Sequence, residues 1–245
     1  MKYTTAITSN IAHLIEAHEH IQKARKEKML LIYGNPGMGK TQACELLETE
    51  GAILWEAPAR CTGYHLVRSL LDRLGSPGCR SFGAGLDQCI KKLSESNQTL
   101  IVDEAGRLLW RERDQLIEVL RYIHDAADVP LIFTGMPDIY NYLSPYPQVC
   151  DRIFFVEFLP WSYEDTRLVM ETCCEVKVKA DLLKRLYSFA KGNGRLTSRA
   201  LEHIERHAKA LGIPEIGGVE WGNQPFLPAI SQQPESRKGK RRRAA

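Results

Sequence analysis

A chain of 245 residues, 44% hydrophobic and 26% charged, has room for one large domain with a small appendage and the composition of an ordinary globular protein. No apolar run approaches the roughly 20 residues of a membrane span, and Met1-Lys2-Tyr3-Thr4-Thr5 lacks the apolar core of a signal peptide. The expected protein is therefore cytoplasmic with no membrane partner. The net charge of +3 hides an uneven distribution. Setting aside Arg237, Lys238, Lys240, Arg241, Arg242 and Arg243 leaves 27 basic against 30 acidic residues, so any nucleic-acid binding by the body needs a local patch. Seven cysteines with no CxxC pair read as buried thiols rather than disulfides or zinc ligands.

Along the chain, Ile11, Leu14, Ile15 and Ile21 recur at helical spacing, which predicts a helix over Thr8–Lys28 with Ser9 or Asn10 as its cap. His13, His18 and His20 in this helix read as a solvated face, with a metal site as the alternative. Met29–Tyr33 is a short apolar run, long enough for one buried strand. After it come Gly34, Asn35, Pro36, Gly37, Met38, Gly39, Lys40 and Thr41, the phosphate-loop pattern of Gly, four residues, Gly-Lys-Thr, with a helix beginning at Thr41. The chemistry calls for this context. Glycines let backbone N–H groups turn inward around phosphate oxygens, and the helix N-terminus adds partial positive charge. Lys40 is then placed for the β- and γ-phosphates and the Thr41 hydroxyl for Mg²⁺.

Ala52–Trp55 reads as a second strand. Thr62 caps a helix over Gly63–Leu74, and a further helix runs from about Leu86 to Ser96. Gln98–Asp103 is a third strand, apolar over Thr99–Val102, that delivers Asp103 and Glu104 at its carboxyl end. Asp103 suits the Mg²⁺ shell and Glu104 suits a role in orienting and polarising an attacking water. An amphipathic helix over Asp114–Asp128 precedes a fourth strand over Val129–Gly135. Thr134 is either a contact to the terminal phosphate or water, or the start of a turn. Ile153–Phe158 is a fifth strand with Arg152 just before it. Alternating strands and helices predict an α/β fold, with a parallel five-stranded sheet between helices and the ligand at the carboxyl ends of the strands. From Ser162 the pattern is all helical, over Tyr163–Cys174, Ala180–Lys191 and Leu196–Leu211. The expected organisation is a helix over 1–28 packed on the core, a core over 29–160, a helical lid over 161–212, and a flexible basic tail over 213–245. That tail is either an arm for nucleic acid or an acidic partner, or a solubilising end.

A phosphate-loop sheet followed by a helical lid resembles the AAA+ ATPases. Leu31–Thr41, Ile101–Ala105, Leu120–Asp125 and Leu131–Met136 together resemble a narrower group, the phage Mu B protein and the TnsC ATPases of bacterial transposons. The resemblance covers about residues 29 to 200. It implies an ATP- and Mg²⁺-dependent ATPase, encoded by a bacterium, phage or mobile element, that assembles with itself into rings or helical filaments on duplex DNA. There it would recruit or activate a transposase, with a target-selection adaptor as a further partner. It also implies that Arg152 is an arginine finger for the neighbouring subunit, the alternative being an ion pair with Asp151 or Glu157. Arg195 resembles the lid arginine called sensor 2, with Arg199 as competitor. By position and charge, Arg60, Thr62, Arg80, Lys91 and Lys92 are the candidates for DNA contact. A helicase loader and a nucleotide-switched adaptor are the alternative readings.

Overall fold

The computed structural model describes residues 6–26, 28–59, 62–76, 78–109, 114–144 and 150–227. Five strands form one sheet: β1 Met29–Gly34, β2 Ile53–Glu56, β3 Leu100–Asp103, β4 Leu131–Gly135 and β5 Ile153–Phe158. Their order is β2-β3-β4-β1-β5 and every pair is parallel. β1 is flanked on both sides, and Met29, Leu30, Leu31 and Ile32 are all fully buried, which is why its sequence is a continuous apolar run.

Period-two alternation sends side chains to two different cores. Leu30, Ile32, Ile101 and Ile132 pack against α1 Ser9–Lys23 and α2 Lys40–Thr49. Leu31, Val102, Leu131 and Phe133 pack on the other face, against α3 Gly63–Arg73, α4 Phe82–Ser96 and α6 Asp114–Ala127. The short helix α5 Gly106–Leu109 follows β3, and α7 Ile139–Leu143 follows β4. Because β1 lies beside β4 and β4 beside β3, the loop after β1, Thr134 and Asp103 line up along one edge of the sheet. This is the crevice where the strand order reverses.

After the sheet come α8 Tyr163–Cys173, β6 Lys177–Val178, α9 Ala180–Ala190, α10 Gly194–Ala210, β7 Glu215–Ile216 and α11 Gly218–Trp221, which share a separate core. Asp165 joins this lid to the body. Its Oδ1 accepts from the N and Oγ of Ser9, both at 2.8 Å, and its Oδ2 from the N and Oγ of Ser162, at 3.0 and 2.9 Å. Burial pushes this carboxyl up, and the four hydrogen bonds outweigh it, so Asp165 lies below the usual carboxylate range.

Four expectations are corrected. The first helix ends at Lys23, five residues short of Lys28, and its cap is Thr8, whose side chain makes no capping bond. Ser9 and Asn10 instead reach across to the lid and its connection. The fourth helix starts at Phe82, capped by Ser81, not at Leu86. Gly85 does not break that helix; a Cβ there would stand 2.5 Å from Val67 Cγ1, so the glycine allows α3 and α4 to approach. His18 is buried, its Nε2 2.8 Å from Thr99 Oγ1, so the three histidines do not form one solvated face. No group of three or more metal-ligating side chains occurs among the described residues. Finally, ordered structure continues past Gly212: Ile216 and Trp221 are buried, and Trp221 stacks on Phe226 with ring centroids 5.8 Å apart. Burying these side chains outweighs the Pro- and Gly-rich composition that suggested a tail from residue 213. The basic run 237–243 lies outside the described residues.

Candidate nucleotide site

The loop from Gly34 to Gly39 closes over the N-terminus of α2. Gly37 and Gly39 have φ of 82° and 93°, left-handed conformations that only glycine adopts without strain. Lys40 opens the helix, and its Nζ donates to the carbonyls of Gly34 at 2.7 Å and Asn35 at 3.2 Å. Burial lowers the pKa of this ammonium, and the Glu104 and Asp103 carboxylates beside it oppose that shift. Behind the loop, the Met38 carbonyl accepts from Trp161 Nε1 at 3.3 Å. Buried Asn10 clamps Leu159, donating from Nδ2 to its carbonyl at 2.8 Å and accepting its N–H at 3.1 Å.

The acidic pair sits one strand beyond β4. Thr41 Oγ1 donates to Asp103 Oδ2 at 3.3 Å, so a hydroxyl and a carboxylate, both hard oxygen donors, stand together at the mouth of the loop. Thr134 lies inside β4, not in the turn after it. Its hydroxyl donates to Asp103 Oδ1 and accepts the Glu104 N–H at 3.2 Å. Glu104 has φ of 55°, uncommon for a residue with a side chain, and it lines the cleft. The cleft has a volume of about 450 Å³ and is bounded by Gly37, Lys40, Thr41, Asp103, Glu104 and Thr134 on the sheet side. Arg195, Ser198 and Arg199 close it from α10. Both lid arginines reach the cleft, one helical turn apart, so geometry leaves Arg195 and Arg199 level. Inward-turned backbone, one ammonium, two guanidinium groups and an adjacent pair of oxygen donors make a site able to hold a nucleoside polyphosphate with a divalent cation.

Residues 22–143 match the family model of the AAA domain. That segment contains the loop, the acidic pair and Thr134, and it ends before Arg152 and the lid. A Staphylococcus aureus protein described as a potential ATP-binding protein is 33% identical over 127 residues. The match takes in 48% of this chain and 45% of that one, so the chain spans about half the length of the curated relative. Among solved structures, Aeropyrum pernix Orc1 in complex with DNA has a TM-score of 0.61 at 19% identity, over 85% of this chain and 61% of that one. A Walker-type ATPase of Pyrococcus abyssi has a TM-score of 0.63 at 16% identity, over 82% and 68%. The Hsp104–ADP complex of S. cerevisiae gives 0.53 at 15%, over 82% and 32%. At these identities the likeness is one of fold, and the fold is the AAA-type P-loop sheet flanked by helices.

The other candidate residues of this AAA-type fold lie away from the cleft. Arg152 precedes β5, at the amino edge of the sheet, and the cleft lies at the carboxyl edge. The six residues of β5 separate the two edges by roughly 20 Å. Its Nη1 donates to Asp125 Oδ1 at 3.4 Å, so its ion pair is with the last turn of α6 rather than with Asp151 or Glu157. Asp125 also pairs with Arg121 at 2.8 Å.

The five DNA candidates fall into separate places. Thr62 caps α3 and Arg80 precedes α4; the two helix starts adjoin, since a Cβ on Gly63 would stand 3.2 Å from the Phe82 ring. Lys91 and Lys92 sit about two and a half turns further along α4, where Lys91 pairs with Glu95 and Lys92 lies in a groove with Arg73 and Gln98. Arg60 is outside the described residues. Sequence reasoning missed Asn10, Trp161, Ser198 and Asn193; none belongs to a motif contiguous with the loop.

Proposed function

We propose that this chain is an ATP-dependent, Mg²⁺-dependent ATPase that assembles on duplex DNA without sequence preference and there recruits or activates a transposase. The observation that carries the assembly is the position of Arg152. It is half-exposed, at the edge of the sheet opposite its own cleft, and held by Asp125. A guanidinium so placed serves a neighbouring subunit's nucleotide, and a head-to-tail contact of that kind generates rings or open helices. The run Leu120–Asp125, which carries the resemblance to the Mu B and TnsC proteins, supplies both Arg121 and Asp125 to this ion-pair group. Within each cleft, Lys40 and the loop N–H groups bind phosphate. Thr41 and Asp103 would hold Mg²⁺, which would neutralise charge developing on the phosphates. Glu104, its backbone fixed by Asp103 and Thr134, polarises the water. Arg195, with Arg199 beside it, covers the phosphates from the lid.

For DNA, support comes from the Orc1 structure, which contains DNA, and from the adjoining starts of α3 and α4 that bring Thr62 and Arg80 to one place. Such contacts go to phosphates and weaken as salt rises. The test is negative-stain microscopy with duplex DNA in ATP, a non-hydrolysable analogue or ADP. Rings or filaments in ATP and the analogue, absent in ADP, are the expected result. A chain that stays unassembled on duplex DNA in every nucleotide contradicts the proposal and favours the loader or adaptor readings.

A further inference from the structure

Three consecutive carbonyls of the phosphate loop are held from the lid side. Pro36 O accepts from Asn193 Nδ2 at 3.2 Å, Gly37 O from the Arg195 N–H at 3.2 Å, and Met38 O from Trp161 Nε1 at 3.3 Å. All peptide bonds here are trans. In a planar trans peptide the carbonyl and the following N–H point in opposite directions. Fixing these three carbonyls therefore turns the N–H groups of Gly37, Met38 and Gly39 the other way, away from Asn193, Arg195 and Trp161.

Asn193 is the one side chain of the α10 turn in this set. It is also the N-cap of α10, with Oδ1 accepting the Leu196 N–H at 3.0 Å. That bond requires an acceptor, which leaves the amide nitrogen for Pro36. The fit is close: a Cβ on Gly37 would stand 2.5 Å from Asn193 Oδ1. The turn itself is wedged in place, since Trp161 N donates to Gly192 O at 2.8 Å and a Cβ on Gly194 would stand 2.4 Å from the Trp161 ring.

We infer that Asn193 is a positioning residue for nucleotide binding. Without touching the nucleotide, it orients the Gly37 N–H toward phosphate and ties that orientation to the lid helix. The inference rests on the nucleotide reading of the cleft. It needs a donor and an acceptor on two separate atoms of one short side chain, which asparagine has; serine carries both on a single, shorter-reaching hydroxyl and ionised aspartate carries acceptors only, although both of these still cap a helix. Asn193→Ser keeps the cap and loses the donor's reach. Asn193→Asp keeps the cap and turns an acceptor onto the Pro36 carbonyl.

The experiment measures ADP affinity by titration calorimetry and the thermal midpoint of the nucleotide-free chain, for wild type, both variants and Lys40→Ala. The expected result is ADP affinity lower by about tenfold in Asn193→Ser and by more in Asn193→Asp, with both nucleotide-free midpoints within about 2 °C of wild type. ADP affinity within about twofold of wild type in both variants overturns the inference, and so does a loss of affinity accompanied by an equally large fall in the nucleotide-free midpoint. If wild type and Lys40→Ala alike bind no ADP, the nucleotide reading falls and the inference with it.

Discussion

Arg152→Ala is expected to lower DNA-stimulated ATP turnover by about a thousandfold while the isolated chain binds ATP with unchanged affinity. The size of the effect follows from what a guanidinium does beside a phosphoryl group in flight, where it meets charge that spreads over the equatorial oxygens. The separation of turnover from binding follows from geometry. Arg152 is at the amino edge of the sheet and the phosphate loop at the carboxyl edge, so removing it leaves the cleft of its own chain intact. The fold is expected to survive the substitution, because an ion pair as exposed as Arg152 and Asp125 contributes at most about 1 kcal/mol. Turnover with and without duplex DNA, beside a fluorescent-nucleotide titration, reads both quantities. Loss of ATP binding itself, or full DNA-stimulated turnover, refutes the role.

Glu104→Gln is the second large effect, a fall in turnover of about a hundredfold or more with ATP still bound. Glutamine matches glutamate in shape and keeps the backbone N–H that bonds Asp103 Oδ1 at 2.9 Å and Thr134 Oγ1 at 3.2 Å. What it lacks is the charge that polarises water. Asp103, Thr41 and the loop remain, so the variant loads nucleotide and stops before hydrolysis. If hydrolysis is the step that releases the protein from DNA, Glu104→Gln assemblies persist after free ATP is removed, while wild-type assemblies decay. Light scattering after nucleotide removal follows both. An assembly lifetime equal to wild type would sink the idea that turnover drives disassembly.

The parts of this molecule that sequence exposes are those whose physics is local. β1 announces itself because a strand buried on both faces must be continuously apolar, and the phosphate loop because its glycines and Lys40 act within eight residues of one another. Asp103 and Glu104 were readable because they end an apolar strand. Other contacts join residues far apart in the chain and leave no local pattern. Asn193 meets Pro36 across 157 positions and Ser9 meets Asp165 across 156, and neither pair shares a motif. The start of α4 at Phe82, four residues before Leu86, has no apolar periodicity to mark it, and its Gly85 is there for the close approach of α3 rather than as a boundary. The segment after Gly212 misled because composition averages over residues, whereas one buried indole, Trp221, anchors the segment. Charge alone also says nothing about which face a lysine occupies, so Lys91 and Lys92 were grouped with Thr62 and Arg80 although α4 carries them apart.

In the proposed assembly each active site is built from two chains, one supplying the cleft with Glu104 and the next supplying Arg152. Its most direct test mixes Glu104→Gln with Arg152→Ala, each nearly inactive alone, in equal amounts on duplex DNA with ATP. Random head-to-tail mixing places an intact cleft against an intact Arg152 at about a quarter of the contacts. The mixture is expected to hydrolyse ATP far faster than either variant. A mixture that co-assembles on DNA, as tagged pull-down would show, and yet remains as inactive as its components would contradict it.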